Sequence, residues 1–312
     1  MYGKWGKLYL LGLEKMLIWN ILNKYNFKSK IYKDVNLSHY TSFKIGGKVD
    51  LFIIPYSWEE LILILQILKE NNIPTKVMGQ GTNILAPDEG IKGAVIRLNQ
   101  NLGKINFVDN SHLEVESGCL ISKLISFMVE KNMGGLEFMM GIPGTIGGAV
   151  MGNAGAFRKA IGDFVEGVYV LNEHFEEMFL GKKELNFNYR SSNIPKDWII
   201  KKVLLRLEEK PKEESLKEIK FFIKERSKKL PKYPSAGSVF KNPKEGPAGY
   251  FIDNLGFRGF RIGDAMVSYE HANTIINVGR ARSKDVLEII NIIKDKVKEA
   301  YGIDLEPEII IW

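Results

Sequence analysis

Two segments of the chain are dense in glycine and small hydroxyl residues: Gly79-Gln80-Gly81-Thr82-Asn83 and Gly141-Ile142-Pro143-Gly144-Thr145-Ile146-Gly147-Gly148-Ala149. Glycines let backbone amides close on an anion with no Cβ in the way, and a threonine hydroxyl adds a neutral donor, so both segments read as phosphate cradles. The alternative for a lone G-x-G is an ordinary tight turn. Two such segments within one run of alternating strands and helices shift the balance toward the cradle. Gly79-Gln80-Gly81 is the only G-x-G in the chain, no glycine stands at 84, and no G-K-[ST] occurs. Neither the Rossmann fingerprint nor a Walker A loop is present, so a cradle of another type is required.

Elsewhere, Pro234-Ser235-Ala236-Gly237-Ser238-Val239-Phe240-Lys241-Asn242-Pro243 sets a small hydroxyl in a flexible, basic neighbourhood. It is not a G-x-S-x-G elbow and has no histidine close in sequence, so a nucleophilic serine is not indicated, while a serine that donates a proton stays open. Arg190 in Tyr189-Arg190-Ser191-Ser192 and Glu308 in Leu305-Glu306-Pro307-Glu308 are each uninformative alone. The four histidines, His39, His112, His174 and His271, show no metal-ligand spacing, and no metal site is expected.

These residues need elements to position them. Ser57-Trp58-Glu59-Glu60 is a capping-box start, with Leu61, Ile64, Leu65 and Leu68 on one face and Asn71, Asn72 and Pro74 as the stop. Strands are expected at 75–78, 94–98, 113–117, 165–171 and 199–207, with a helix from 122 to about 132, an α/β rhythm without internal repeats. The charged, proline-broken stretch 208–214 reads as the seam between two domains. Beyond it come a basic amphipathic helix (215 to about 229), a helix over 283–300 and a terminal strand over 308–312. Glu213, Glu214, Glu218 and Glu225 interleave the lysines of the basic helix, which suits a solvated face better than a nucleic-acid stripe.

The chain has 312 residues, 45% hydrophobic and 26% charged, about two soluble domains' worth. Lys and Arg number 44 against 37 Asp and Glu, a net +7 that suits small anions without requiring nucleic acid. A single cysteine, Cys119, excludes an internal disulfide framework and fits a reducing cytoplasm. The apolar runs 8–11 and 16–22 are interrupted or short, neither a signal-peptide core nor the roughly 20 apolar residues of a membrane span.

Taken in order, Thr41-Ser42-Phe43-Lys44-Ile45-Gly46-Gly47, the 79–83 and 141–149 segments, Gly152-Asn153-Ala154-Gly155-Ala156, Tyr189-Arg190-Ser191-Ser192, residues 236–243, His271-Ala272-Asn273 and Leu305-Glu306-Pro307-Glu308 resemble the UDP-N-acetylenolpyruvoylglucosamine reductase family. The likeness runs from about Asn36 to the C-terminus. It implies an α+β protein: a helical segment over 1–35, an FAD-binding domain of the vanillyl-alcohol oxidase and para-cresol methylhydroxylase type with two α/β subdomains over 36–210, and a smaller α+β substrate-binding domain over 211–312.

By that resemblance, FAD is held non-covalently by Gly79, Gln80, Gly81, Thr82, Asn83, Gly141, Ile142, Pro143, Gly144, Thr145, Gly147, Gly148, Ala149, Asn153 and Gly155. NADPH supplies the hydride, and the partner is a UDP-sugar enolpyruvyl ether reduced to UDP-N-acetylmuramate. Arg190 would pair with the enolpyruvyl carboxylate, Glu308 would polarise the developing enolate, and Ser238 would deliver the proton. Lys229 and Asn242 match positions that contact the UDP-sugar. The sequence departs from the family at Asp264 and Met266, where glycine and often glutamine are usual, and at Ile310, where a basic residue is common. The compact run from 242 to 268 favours the family's shorter type, without an extra tyrosine-bearing loop.

Two other readings compete. A flavin oxidase of the same fold would often tether FAD through histidine or cysteine; no histidine lies in either glycine segment, and Cys119 is the one cysteine. A non-catalytic nucleotide-binding or interaction protein would use the basic helix and carry no flavin.

Overall fold

The computed structural model describes residues 18–228 and 231–312. Residues 18–24 are helical, with Ile18 and Leu22 buried in the same apolar cluster as Trp58, Leu61 and Leu65. Strand Lys30–Asn36 then forms the edge of a four-stranded sheet. It runs antiparallel to Lys48–Ile54, which is parallel to Ile91–Arg97, itself parallel to Thr75–Met78. Residues 30–35 therefore belong to the first sheet and not to a helical N-terminal segment. Lys30, Tyr32, Lys33 and Asp34 are exposed on this edge, so the strand lacks the alternation that would reveal it.

Parallel strands need a crossover, and helix Trp58–Glu70 supplies it. Ser57 Oγ caps it by accepting the Glu60 amide at 3.3 Å. The reciprocal half of the capping box does not form: the Glu60 carboxylate accepts instead from the amides of Lys28 and Ser29, at 3.0 and 2.8 Å. Strand Lys48–Ile54 is buried on both faces, Leu51 and Ile53 toward this helix and Val49 and Phe52 toward a second apolar layer with Leu37, Met78 and Val95.

A second sheet is wholly antiparallel, in the order Glu177–Gly181, Val165–Leu171, Ile199–Arg206, His112–Glu116, Ile105–Phe107. Helices Ile121–Glu130 and Ile146–Met151 bury Leu124, Met128, Ile146 and Val150 with Val115, Val168 and Val203 of the strands. Each such side chain contributes roughly 1.5–3 kcal/mol by leaving water. The basic helix spans Lys212–Ser227 and packs on this second body, burying Ile219 in its core, with Ser215 Oγ donating to Glu137 at 2.8 Å. The change of body thus falls after this helix rather than at 211. The stretch before it looks like a linker because it is charged, but Glu208 and Glu209 pair with Met133 and Gly134 in a short ladder, and Lys210 sits between Glu137 and Glu218.

The third body is an antiparallel sheet in the order Ser235–Ser238, Thr274–Asn277, Ala265–Val267, Arg261–Ile262, packed against helices Ala248–Asn254 and Ser283–Tyr301. Val286, Ile289, Ile290, Ile293 and Val297 repeat at helical spacing along the buried face of the second helix. Its first amides, Ser283 and Lys284, donate to Asp88 of the first body at 2.7 and 3.2 Å. Phe43, Ile45 and Leu85, also from the first body, lie in the C-terminal core. The last strand, Ile310–Ile311, runs parallel to Ile84–Leu85. The first and third bodies are therefore sewn together beside the 79–83 loop. Among the described residues, no helix is long and apolar enough to cross a membrane.

Candidate active site

The 79–83 loop leaves the C-terminal end of strand Thr75–Met78, and its path is set by close approach. Gly81 has φ +67, and a Cβ there would lie 2.4 Å from the Tyr40 carbonyl oxygen. A Cβ on Gly79 would lie 2.3 Å from Thr145 Oγ1, so the two glycine segments touch. Thr82 Oγ1 donates to the Pro143 carbonyl at 3.1 Å and joins them further. Asn83 reaches the C-terminal tail, its Nδ2 donating to the Glu308 carbonyl at 3.0 Å.

Across this junction the amides of Gln80, Gly81, Thr82, Gly144 and Thr145 donate to no acceptor among the described residues. Gly144 has φ +147 with no atom closer than 3.5 Å to a built Cβ, and a Cβ on exposed Gly148 would meet only Thr145 Oγ1, at 3.5 Å. Open amides beside open glycines are what a dianion requires. Not every residue assigned to this cradle faces it. The Gly147 amide donates to Ser117 O at 2.9 Å, and its absent side chain lets Ser117 approach, since a Cβ would come within 2.6 Å of Ser117 Cβ. The Ile142 amide donates to Met139 O, and Ala149 N to Thr145 O, each at 2.9 Å.

Asn153 and Gly155 are engaged with the Arg190 turn. Asn153 Nδ2 donates to Asn188 O at 2.8 Å while its Oδ1 accepts from Gly162 N at 3.0 Å. The Gly155 carbonyl accepts from Arg190 Nη2 at 2.9 Å. Arg190 itself sits in the left-handed region, at φ +56, on the turn bracketed by Asn188 and Ser191. Strain of this kind persists where the surroundings over-determine it.

Arg190 and Glu308 meet, 118 residues apart in sequence, with Arg190 Nε donating to Glu308 Oε1 at 2.7 Å. The pair is only about one-fifth exposed, 23% and 20%. Burial pushes the Glu308 carboxyl above its ordinary value, with Arg190 and Lys241 pulling back in part. The Glu308 amide donates to Val239 O at 2.7 Å, which sets the carboxylate's backbone directly beside Ser238. Ser238 ends its strand after Gly237, whose φ of +81 breaks the ladder register; the serine is half-buried, and its hydroxyl has no partner among the described residues.

Asn242 is exposed. Its Oδ1 accepts from Ala248 N at 3.0 Å, and its amide donates to Tyr189 Oη at 3.3 Å. Lys229 lies outside the described residues. Of the departures, Asp264 accepts from Arg280 N at 2.7 Å and pairs with Arg261 in a surface turn. Met266 lies in the sheet opposite Ile276, and Ile310 lies in the parallel ladder opposite Ile84. Residues that carry the site without having been singled out include Ser42, whose Oγ donates to Ser235 O at 2.7 Å, and Arg97, whose Nη2 donates to Gln80 Oε1 at 2.6 Å. Ser42 lay inside a quoted motif; nothing in the sequence marked Arg97.

Residues 49–174 match the family described as FAD binding domain, and residues 229–312 match UDP-N-acetylenolpyruvoylglucosamine reductase, C-terminal domain. A Clostridium beijerinckii protein named UDP-N-acetylenolpyruvoylglucosamine reductase is 39% identical over 295 residues, 94% of this chain and 96% of that one. The chain belongs to the UDP-N-acetylenolpyruvoylglucosamine reductase family. A Thermotoga maritima protein of the same name is 40% identical over 279 residues, 88% of this chain and 96% of that one. The solved UDP-N-acetylenolpyruvylglucosamine reductase from Thermus caldophilus superposes with a TM-score of 0.77 at 36% identity, over 92% of this chain and 99% of that one. The family's C-terminal domain begins after helix Lys212–Ser227, in agreement with where that helix packs.

FAD is the cofactor this family's first domain implies, and the residues present fit it: the FAD-binding match contains both glycine segments, with their open amides and the two glycines that leave room. A covalent tether through Cys119 does not fit. Cys119 is fully buried in the second core, and burial pushes its thiol up to about 11.

Proposed function

We propose that the protein reduces the enolpyruvyl group of UDP-N-acetylglucosamine enolpyruvate to UDP-N-acetylmuramate, an NADPH-dependent step of peptidoglycan precursor synthesis in the cytoplasm. The observation that carries this reading is the convergence of Arg190 and Glu308 on one another beside Ser238, next to the glycine junction. The chemistry that bound FAD would supply is a hydride, drawn from NADPH, for the terminal carbon of the enolpyruvyl double bond. The remaining work belongs to the chain. As the double bond is reduced, negative charge grows on the neighbouring carbon and its carboxylate, and that carbon must take up one proton.

Arg190 presents a planar fork with always-charged nitrogens, suited to two carboxylate oxygens, and its Gly155 contact fixes the fork's direction. Glu308, with its pKa raised by burial, keeps a proton to higher pH than an ordinary carboxyl and can lend it as a hydrogen bond to the enolate oxygen. Ser238, whose hydroxyl has no partner among the described residues, gives its proton to the carbon; a nascent carbanion is basic enough to take it, and solvent restores it. Lys229 and Asn242 would contact the UDP-sugar. In the 79–83 and 141–149 segments the free amides would face the FAD pyrophosphate, while Gly147 keeps the segment seated on Ser117 and Asn153 and Gly155 serve Arg190.

The test is the visible spectrum of the purified protein. A flavin spectrum that bleaches with NADPH and recovers when UDP-N-acetylglucosamine enolpyruvate is added under anaerobic conditions supports the reading. A protein that takes up no FAD, or whose bleached flavin recovers with oxygen but not with the enolpyruvyl compound, refutes it.

A further inference from the structure

Ser238 stands on a strand whose ladder with Thr274–Asn277 is interrupted: Ser235 pairs with Ile276 and Ser238 with Thr274, with an irregularity between them at Gly237. Something other than regular pairing must hold the stretch that follows. Asn273, only 3% exposed, does so with three hydrogen bonds. Its carbonyl accepts from Val239 N at 2.8 Å, its Oδ1 accepts from Phe240 N at 2.9 Å, and its Nδ2 donates to Phe240 O at 2.8 Å. The side-chain amide thus makes the paired donor and acceptor contacts that a neighbouring strand would make.

The same stretch carries the carboxylate. Val239 O accepts from Glu308 N at 2.7 Å, Lys241 N donates to Glu306 O at 2.9 Å, and Phe240 bridges Pro307. Residues 238–241 are therefore a shelf with the hydroxyl at one end and the Glu308 backbone docked on it. We infer that Asn273 is a positioning residue for the substrate half of the reaction, holding Ser238 and Glu308 in register through the backbone of Val239 and Phe240 while touching neither reacting group. The inference rests on the roles of Ser238 and Glu308 given above.

Leu, Val or Ala at 273 would leave the Phe240 amide and carbonyl without partners in a buried place, and the shelf would shift to find others. A misplacement of about 1 Å in a catalytic group costs on the order of 10²-fold in rate. The NADPH half of the reaction needs no proton on carbon and should not register the shift. Asp at 273 is the sharper probe. Ionised, it keeps the acceptor for Phe240 N but repels Phe240 O; protonated, it restores a donor and an acceptor together.

The experiment is anaerobic stopped-flow absorbance of the FAD-loaded Asn273→Ala and Asn273→Asp proteins in H₂O and D₂O, recording flavin bleaching by NADPH and then its recovery on adding UDP-N-acetylglucosamine enolpyruvate. The expected result is bleaching within about 2-fold of the parent and recovery slowed about 10- to 100-fold, with a larger solvent isotope effect on recovery alone. Recovery by Asn273→Asp should quicken as pH falls. Unchanged recovery, or bleaching and recovery slowed equally, overturns the inference, as does failure of both variants to hold FAD, which would make Asn273 a folding residue for the whole chain. If the parent's own flavin does not recover with the enolpyruvyl compound, it is the functional reading that fails, and this inference with it.

Discussion

Two opposing pulls act on the Glu308 carboxyl. Burial raises its pKa, the Arg190 and Lys241 charges lower it, and the balance is upward. A group whose folded-state value lies above its unfolded value contributes stability that is full below the unfolded value, about 4.3 for Glu, and is lost as pH rises through the raised one. Glu308→Gln has no proton to lose, so the melting temperature of this variant relative to the parent should improve as pH rises from about 4 toward neutrality; a difference that stays constant, or moves the other way, counts against the raised value. Arg190 and Glu308 are uninformative alone in the sequence and, with Ser238, stand out only through the resemblance of their ordered motifs; the structure adds that Arg190 and Glu308 meet, with the Glu308 amide on Val239 next to Ser238. Residues that work through the backbone were not legible. Asn273, Ser42 and Asn153 spend their polar atoms on main-chain groups, a task open to many side chains, so neither type nor spacing declares it. Arg97 was hidden for a different reason, because its contact with Gln80 joins a strand end to a loop 17 residues earlier.

The two glycine segments show how one residue type serves different ends. Gly81 is required by its left-handed backbone and by Tyr40, Gly147 by Ser117, and Gly148 by neither. Gly81→Val should therefore lower stability as well as FAD retention, whereas Gly148→Ala should fold and melt like the parent yet bind FAD at least several-fold more weakly, because within the protein its methyl group would meet Thr145 Oγ1 only at ordinary contact distance, 3.5 Å, while a bound pyrophosphate would crowd it. Thermal melts alongside titration of the apoprotein with FAD separate the two, and a Gly148→Ala protein with parental FAD affinity would remove that residue from the cradle. Strand Val165–Leu171 was legible to the residue from its apolar patterning, and Thr75–Met78 from its place between the Pro74 stop and the glycine loop. The edge strand Lys30–Asn36 was not, because one exposed side and one free edge leave little pattern. The sequence announces helix Lys212–Ser227 but not the body it belongs to: its charged approach resembles a linker, and only the contacts of Ile219, Ser215 and Lys210 reveal what it packs on.

At the scale of the molecule, the three bodies share cores and strands. Phe43 and Ile45 enter the C-terminal core, Asp88 caps its long helix, and the tail returns to pair beside the 79–83 loop. Composition and spacing could order these bodies but not interlock them, since the interlocking pairs lie up to 234 residues apart, as Phe43 and Asn277 do. Deleting residues 310–312 removes the bonds from Ile310 N to Asn83 O at 2.8 Å and from Trp312 N to Leu85 O at 3.1 Å. That should cost about 1–3 kcal/mol of stability and also weaken FAD binding, although no deleted residue belongs to the glycine segments. Unchanged FAD affinity in the shortened protein would show that the tail does not support the loop. The central claim is that Ser238, Glu308 and Arg190 act on the enolpyruvyl group and leave the NADPH step alone. Stopped-flow flavin absorbance of Ser238→Ala tests it most directly: bleaching by NADPH should match the parent, while recovery with UDP-N-acetylglucosamine enolpyruvate should slow by about 10²- to 10⁴-fold, the usual worth of a lost general acid. Recovery at the parental rate in a folded, FAD-loaded Ser238→Ala protein would contradict the account.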